Sequence, residues 1–300
     1  VAATTPLQAF AESRPADPEV RVRLLLKCPD RAGIVAAISR FLYEAGANIV
    51  ESAQYSTAGG AGIFFMRLQF DLRSPRLLTL EDDFRHTVAG HFAMDWSMWP
   101  AARPKRVALL CSRPEHCVLD LLWRWRGGEL HADIPLVVSN HDDLRAQVAL
   151  FGVPYHHVPI PTALEKPAAE AEILGLLAGN VDLVVLARYM QILSADFLAA
   201  LAVPVINIHH SFLPAFPGAN PYARAHERGV KLIGATAHYV TPELDAGPII
   251  EQDIQRVTHR EDPTALQRIG RDVERVTLAR AVALHLDDSV LVYGNRTLVF

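Results

Sequence analysis

Between residues 107 and 208, five short stretches (107–111, 134–139, 155–158, 181–186 and 203–208) are apolar nearly throughout. Segments of helical periodicity at 117–125, 142–151 and 167–177 lie among them. A strand that alternates apolar and polar residues buries one face, whereas a strand that is apolar throughout is covered on both. Two-sided burial with intervening helices is the pattern of a mostly parallel sheet, so this part of the chain is expected to form a Rossmann-like α/β domain. In such sheets ligands bind outside the carboxyl ends of the strands. Chemistry is therefore sought in the residues that follow each run.

The first hundred residues have a different texture. Residues 21–28 alternate, with Val22, Leu24 and Leu26 on one side, and 29–33 form a turn. Ile34, Ala37, Ile38, Phe41, Leu42 and Ala45 then recur at helical spacing, and Gly46 supplies a C-terminal stop. Two strands, 48–57 and 63–72, flank a glycine-rich turn, an amphipathic stretch covers 77–92, and a short strand spans 94–99. The order β-α-β-β-α-β is the ferredoxin-like unit. This unit is expected over 19–99, with 100–104, rich in proline and alanine, as a linker and 105–300 as the second domain. A helical pattern at 264–286 and a hairpin around Gly294-Asn295 close the second domain. Residues 1–18, with Pro6, Pro15 and Pro18, read as a loose leader without the charged start and apolar core of a signal peptide.

A chain of 300 residues suits two domains. Its 29 basic and 33 acidic side chains leave a net charge of −4, without the basic footprint that nucleic acid demands. No apolar run reaches the roughly 18 residues that would span a bilayer. Cys28, Cys111 and Cys117 lack metal-ligand spacing and suit a reducing, cytoplasmic setting as small apolar residues. The 123–126 stretch, Trp-Arg-Trp-Arg, reads as a partly exposed helix.

The richest strand end is 205–214. Side chains alternate along an extended chain, so Asn207 and His209 share a face while Ile206 and Ile208 point the other way. A carboxamide can donate to a developing oxyanion, and an imidazole can move or stabilise a proton near neutral pH. The same two side chains could equally do no more than hydrogen-bond the following loop. Asp245 precedes Ala246, Gly247 and Pro248 in a polar loop. Near His209 it would orient the imidazole and a water; otherwise it is a solvated turn residue. His156-His157 and His209-His210 face opposite ways as strand neighbours, so no metal is expected. Ser211 lacks the Gly-x-Ser-x-Gly elbow of a serine hydrolase.

Two motifs, Asn-x-His-x-Ser-x-Leu-Pro at 207–214 and Asp-x-Gly-Pro-Ile-Ile at 245–250, together resemble the folate-dependent formyltransferase family. The likeness extends through 187–194 and covers essentially all of 105–300. Residues 21–99 resemble an ACT domain, most clearly at 29–35. The stretches 256–260 and 291–295 are similar to the branch of the family that joins an ACT domain to the catalytic domain and hydrolyses 10-formyltetrahydrofolate.

The resemblance implies that Asn207 polarises the formyl oxygen, that His209 supports the oxyanion and shuttles a proton, and that Asp245 holds His209 and a water. It implies a pterin pocket built from Arg188, Met190, Gln191, Ile192, Leu193 and Val240, chiefly through backbone, with folate as the substrate and no cofactor. For the ACT unit it implies an amino-acid effector such as methionine or glycine near Asp30, Gly33 and Asn48, and a homo-oligomer, dimer or tetramer. The formate released would serve purine synthesis and balance the one-carbon folate pool. Relatives that formylate a phosphorylated amine carry a glycine-rich phosphate loop after their first strand. Here 110–117 contains no glycine, a proline that lacks a donor, and Glu115, which favours water as the acceptor. Transfer to an unidentified amine, or a silent folate and amino-acid sensor, are the competing readings. Where relatives read Gly-Ala-Arg-Pro, residues 218–221 read Gly-Ala-Asn-Pro.

Overall fold

The computed structural model describes residues 5–13, 19–57, 62–73, 76–213 and 221–300. The loop difference at 218–220 lies outside the described residues. Chain contacts divide the protein into one unit of 1–104 with 287–291 and 298–300, and another of 105–286 with 292–297.

In the first unit, α1 (Pro6–Ser13), β1 (Val20–Pro29), α2 (Ile34–Glu44), β2 (Asn48–Ser56) and β3 (Ile63–Leu72) are followed by α3 (Leu77–Phe84). A π-helical turn, Arg85–Ala89, runs into α4 (Gly90–Phe92), and β4 (Asp95–Pro100) completes the unit. The sheet has the order β2-β3-β1-β4, with every pairing antiparallel. One sheet face, including Val22, Leu24, Leu26 and Cys28 of β1, packs on the apolar stripes of α2 and α3. Phe84 sits at its centre, edge-on to Phe41 at 5.3 Å and to Trp96 at 5.0 Å. Edge-to-face pairs of this kind add about 1 kcal/mol to the stabilisation from burial.

Residues 6–13 differ from the loose leader expected of them. Leu7, Phe10 and Ala11 fall at i, i+3 and i+4, so one helical turn brings all three to one side, where they are buried in this core. Residues 287–291 and 298–300, assigned to the second domain by sequence, also pack with the first unit. Leu291 joins Leu25 and Phe65 in a cluster on the opposite sheet face, with Leu298 and Phe300 against it. Arg67 of β3 donates to the carbonyls of Asp288 and Asp287 at 3.1 and 3.0 Å.

In the second unit the elements run β5 (Lys105–Cys111), α5 (His116–Arg126), β6 (Ala132–Ser139), α6 (Arg145–Ala149), β7 (Tyr155–His157), α7 (Lys166–Leu177) and β8 (Leu183–Ala187). They continue through α8 (Ala195–Leu201), β9 (Val205–His209), α9 (Pro221–Arg228), β10 (Leu232–Tyr239), β11 (Ile249–Arg256) and α10 (Pro263–Leu286). A terminal hairpin of β12 (Val290–Tyr293) and β13 (Arg296–Val299) ends the chain. The seven-stranded sheet has the order β11-β10-β9-β8-β5-β6-β7. Strands β5 to β9 pair in parallel, while β10 and β11 extend the sheet antiparallel beyond β9. Every residue of β8 is buried, as a strand covered on both faces requires. The chain proceeds outward from β5 through β6 and β7 on one side and through β8 and β9 on the other. The crevice at the carboxyl ends of β5 and β8 is thus the topological switch point. No helix among the described residues is long and apolar enough to cross a membrane.

Candidate active site

Strand β9 delivers Asn207, half-buried, and His209, 7% exposed, to the carboxyl end of the sheet. The loop beyond it is held by β10 and β11. Thr236 Oγ1 donates to the Ser211 carbonyl at 3.0 Å and accepts from the Leu213 amide at 3.0 Å, while Gln252 Nε2 donates to Thr236 Oγ1 at 2.9 Å. Asp245 arrives from the connection between β10 and β11 with φ of +54°, a left-handed conformation that is unfavourable for a residue with a Cβ.

The three residues picked out by sequence meet here. His209 Nδ1 lies 3.2 Å from Asp245 Oδ2. His209 Nε2 is buried and has no hydrogen-bond partner among the described residues, although the ring lines the cavity. A fourth side chain, His238 of β10, joins them. Its Nδ1 donates to the Tyr239 carbonyl at 2.9 Å, which leaves Nε2 to accept from Asn207 Nδ2 at 3.3 Å. His238 Nε2 is also 3.7 Å from Asp245 Oδ1, an ion-pair distance too long for a hydrogen bond. The hydrogen bond from His209 holds the Asp245 carboxyl far below the usual carboxylate range despite partial burial. Sequence reading passed over His238. The available signal was a histidine two residues beyond Thr236, on the same face of an otherwise apolar strand.

A cavity of about 460 Å³ opens on this group. Its walls include Arg188, Met190, Gln191, Ile192, Leu193 and Val240, the full set expected around the pterin. Met190 and Ile192 are 56% and 60% exposed, an apolar lip suited to a flat ring. The Met190 amide, however, is already spent on Ser112 Oγ at 2.9 Å, which in turn donates to Asn140 Oδ1 at 2.6 Å.

A polar cluster absent from the sequence reading backs the cavity. Glu274 of α10 is 1% exposed. Tyr222 OH donates to its Oε1 at 2.7 Å, and His116 Nε2 lies 2.7 Å from its Oε2, with Arg188 Nε 3.4 Å from the same oxygen. Burial raises the Glu274 carboxyl, but the His116 hydrogen bond, the Arg188 charge and Tyr222 together outweigh it and hold the group below its usual range. His116, Cys117 and Glu274 bring donor atoms within 4.8 Å of one another. The set does not suit a cation: both carboxylate oxygens are engaged, a guanidinium adjoins them, and burial pushes the Cys117 thiol well above its ordinary value.

In the first unit, Gly33 caps α2 with φ of +95°, and Asp30 donates its amide to the Gly62 carbonyl at 2.8 Å. Asn48 opens edge strand β2. The strand register pairs Asn48 with Asp71, near the Val20 end of β1, whereas Asp30 follows the Pro29 end. Within one protomer the three expected effector residues are therefore not brought together.

A ferredoxin-like unit ahead of a parallel α/β domain, with Asn207, His209 and Asp245 gathered at its strand ends, defines a formyl-group enzyme with an ACT domain. The formyl transferase family matches residues 105–282 and the ACT domain family matches 22–79. A formyltetrahydrofolate deformylase from Mycobacterium tuberculosis is 57% identical over 282 residues, 93% of this chain and 90% of that protein. The crystal structure of a formyltetrahydrofolate deformylase from Pseudomonas syringae superposes with a TM-score of 0.88 at 47% identity, covering 97% of this chain and 98% of the other. A glycinamide ribonucleotide transformylase from Symbiobacterium toebii is similar over 66% of this chain and 94% of its own, at 30% identity and a TM-score of 0.60. The chain belongs to the formyltetrahydrofolate deformylase family.

Proposed function

We propose that the protein hydrolyses 10-formyltetrahydrofolate to formate and tetrahydrofolate, with Asn207, His209 and Asp245 as the catalytic residues. The carrying observation is the buried, unpartnered Nε2 of His209 in a ring tethered through Nδ1 to an ionised Asp245. A buried polar atom without a partner is costly, and a substrate atom in the cavity would satisfy it. Asn207, oriented through His238, has a second amide hydrogen for the formyl oxygen. Water adds to the formyl carbon, and the oxyanion is stabilised by Asn207 and His209. The proton lost by the water is relayed to N10, the C–N10 bond breaks, and formate leaves. Asp245 keeps the imidazole oriented and stabilises its protonated form, as the carboxylate of a catalytic triad does.

The flat pterin would rest between the 188–193 segment and Val240, through backbone contacts and the apolar lip. The substrate carries the reacting group, so the reaction needs no cofactor. We place the activity in the cytoplasm, supplying formate for purine synthesis and balancing the one-carbon folate pool. An amino acid such as methionine or glycine would bind the ACT unit. Since Asn48 and Asp30 lie at opposite ends of one protomer's sheet, a site using both takes them from two copies, with the exposed edge strand β2 as the pairing surface. A dimer or tetramer follows.

The test is formate release from 10-formyltetrahydrofolate with water as the only acceptor. Turnover by wild type that collapses in Asn207→Ala and Asp245→Ala supports hydrolysis at this site. Wild type that binds the folate without releasing formate overturns it.

A further inference from the structure

We propose that Arg188, His210 and Glu274 form a partition that keeps water as the acceptor of the formyl group, closing the catalytic cavity against a neighbouring groove from which an amine could enter. The proposal rests on the hydrolytic reading above. Hydrolysis itself requires water, a polarised carbonyl and a leaving group. None of these explains a buried ionic cluster behind the site, fixed by residues from α5, α9, α10 and the end of β8.

The partition has two sides. Arg188 and His210 line the catalytic cavity together with Asn207 and His209. On the far side His116 lines a separate groove of about 610 Å³ beside α5 and α10, where Arg268, Arg271 and Arg275 are balanced by Glu115, Asp120 and Asp272, a polar opening that could admit a small amine. Between them runs a chain of polar contacts in which the step from Arg188 Nε to Glu274 is an ion pair without a hydrogen bond. Arg188 Nη1 donates to His210 Nδ1 at 2.6 Å, Arg188 Nε stands 3.4 Å from Glu274 Oε2, and His116 Nε2 lies 2.7 Å from that oxygen. Arg188 holds this place with φ of +63°, a conformation a residue with a Cβ keeps only when its surroundings over-determine it.

The inner end also selects the acceptor by its lone pairs. Burial, and then the charge of Arg188, push His210 down to about 4, so the ring is neutral at working pH. Its Nδ1 accepts from Arg188, so the ring proton sits on Nε2 and His210 is a hydrogen-bond donor. The ring stacks on His209, with centroids 5.2 Å apart and planes inclined by 18°. A water oxygen has two lone pairs, and can accept from His210 with one while attacking with the other. An amine nitrogen has one, and a hydrogen bond from His210 would consume it. Where water attacks, it loses a proton, the C–N10 bond breaks, N10 gains a proton, and formate leaves. Where an amine attacks, the same proton and bond changes yield an N-formyl product, and no oxidant or reductant enters either route.

The experiment compares wild type with His210→Ala and Arg188→Gly, the glycine being suited to the left-handed backbone. Each is supplied with 10-formyltetrahydrofolate with and without glycinamide, and formate, N-formylglycinamide and tetrahydrofolate are all quantified. Wild type is expected to give formate alone in both mixtures. Each variant is expected to give N-formylglycinamide at about tenfold or more above the detection limit at which wild type shows none, the scale on which pocket changes alter selectivity. His210→Gln retains an N–H donor and should return the product to formate. Formation of N-formylglycinamide by wild type overturns the partition, as does turnover by the variants to formate alone. Failure of both variants to fold assigns the cluster to stability and overturns it too. Wild type that consumes no folate defeats the hydrolytic reading itself, an outcome distinct from the others.

Discussion

Gly247 lies so close to Tyr239 that a Cβ built on it would stand 1.7 Å from the Tyr239 carbonyl oxygen. The neighbour is backbone at the end of β10, and a Tyr239 amide bond to the Pro248 carbonyl at 2.9 Å locks the two segments together. Any side chain at 247 must therefore push away the loop that carries Asp245. Gly247→Ala is expected to lower kcat about 100-fold, the cost of a misplacement near 1 Å in a catalytic group. Steady-state kinetics with a folded, soluble variant checks this, and a wild-type kcat would show that Asp245 does not depend on this contact.

Asp245→Asn separates orientation from charge. The amide occupies the same space but does not stabilise a protonated His209 as a carboxylate does. We expect kcat to fall by about 10²–10⁴ with folate KM changed far less. Linkage adds a second readout. The folded-state carboxyl is depressed below its ordinary 3.8, so its stabilisation is fully present above that value and is lost as pH falls through the folded-state pKa. The stability difference between wild type and Asp245→Asn should be constant above about pH 5 and shrink in stronger acid, followed by urea unfolding at several pH values. A difference that persists undiminished into strong acid would mean the ionised carboxylate is not its source.

Much of this architecture was legible because each element follows a local rule. The all-apolar runs of β5, β6 and β8 announced a sheet covered on both faces, and alternation in β1 announced the sheet of the first unit. Asn207, His209 and Asp245 were legible through spacing and motif. The roles of His238 and Glu274 were not, because their meaning lies in partners remote along the chain. Glu274 sits in α10 among exposed Arg271 and Asp272 and half-buried Arg275, and nothing in that pattern marks one carboxylate as buried. Its partners His116, Arg188 and Tyr222 come from three other parts of the chain.

His285 carries a pH prediction. Tyr239 OH and its Nδ1 share a hydrogen bond of 2.8 Å, and burial, with Lys105 nearby, pushes the imidazole down to about 3. Between that value and the ordinary 6.5, the unfolded chain binds a proton that the native state refuses. Stability contributed by neutral His285 is therefore present above pH 6.5 and is lost progressively as pH falls towards 3. His210, depressed to about 4, acts in the same direction over a narrower window. Replacing His285 with Gln keeps an acceptor for Tyr239 but removes the titration. Its Tm should fall less between pH 7 and pH 5 than that of wild type, by an amount on the order of 1 kcal/mol in stability. Parallel curves for the two proteins would place the acid sensitivity elsewhere.

Helix α1 is the last case, and it tests whether a segment that reads as loose contributes to stability. Leu7 is completely buried, and Phe10 and Ala11 join it in the core beneath β1 and β3. Leu7→Ala removes packed side-chain atoms from the core and leaves a cavity. Core truncations of this kind cost about 2–5 kcal/mol, the higher end applying where neighbours do not close the gap. Here Leu7 belongs to an eight-residue helix with no disulfide to secure it, all three cysteines being free. Such a helix can shift or fray to relieve the cavity, so a loss near 2 kcal/mol is expected, at the lower end of the range for core truncation. Chemical denaturation should show this loss with the rate of formate release unchanged at temperatures where the variant is folded, since Leu7 lies in the first unit and Asn207, His209 and Asp245 lie in the second. A neutral Leu7→Ala would mean that the helix does not hold its place in solution, and that the leader is as loose as its prolines suggest.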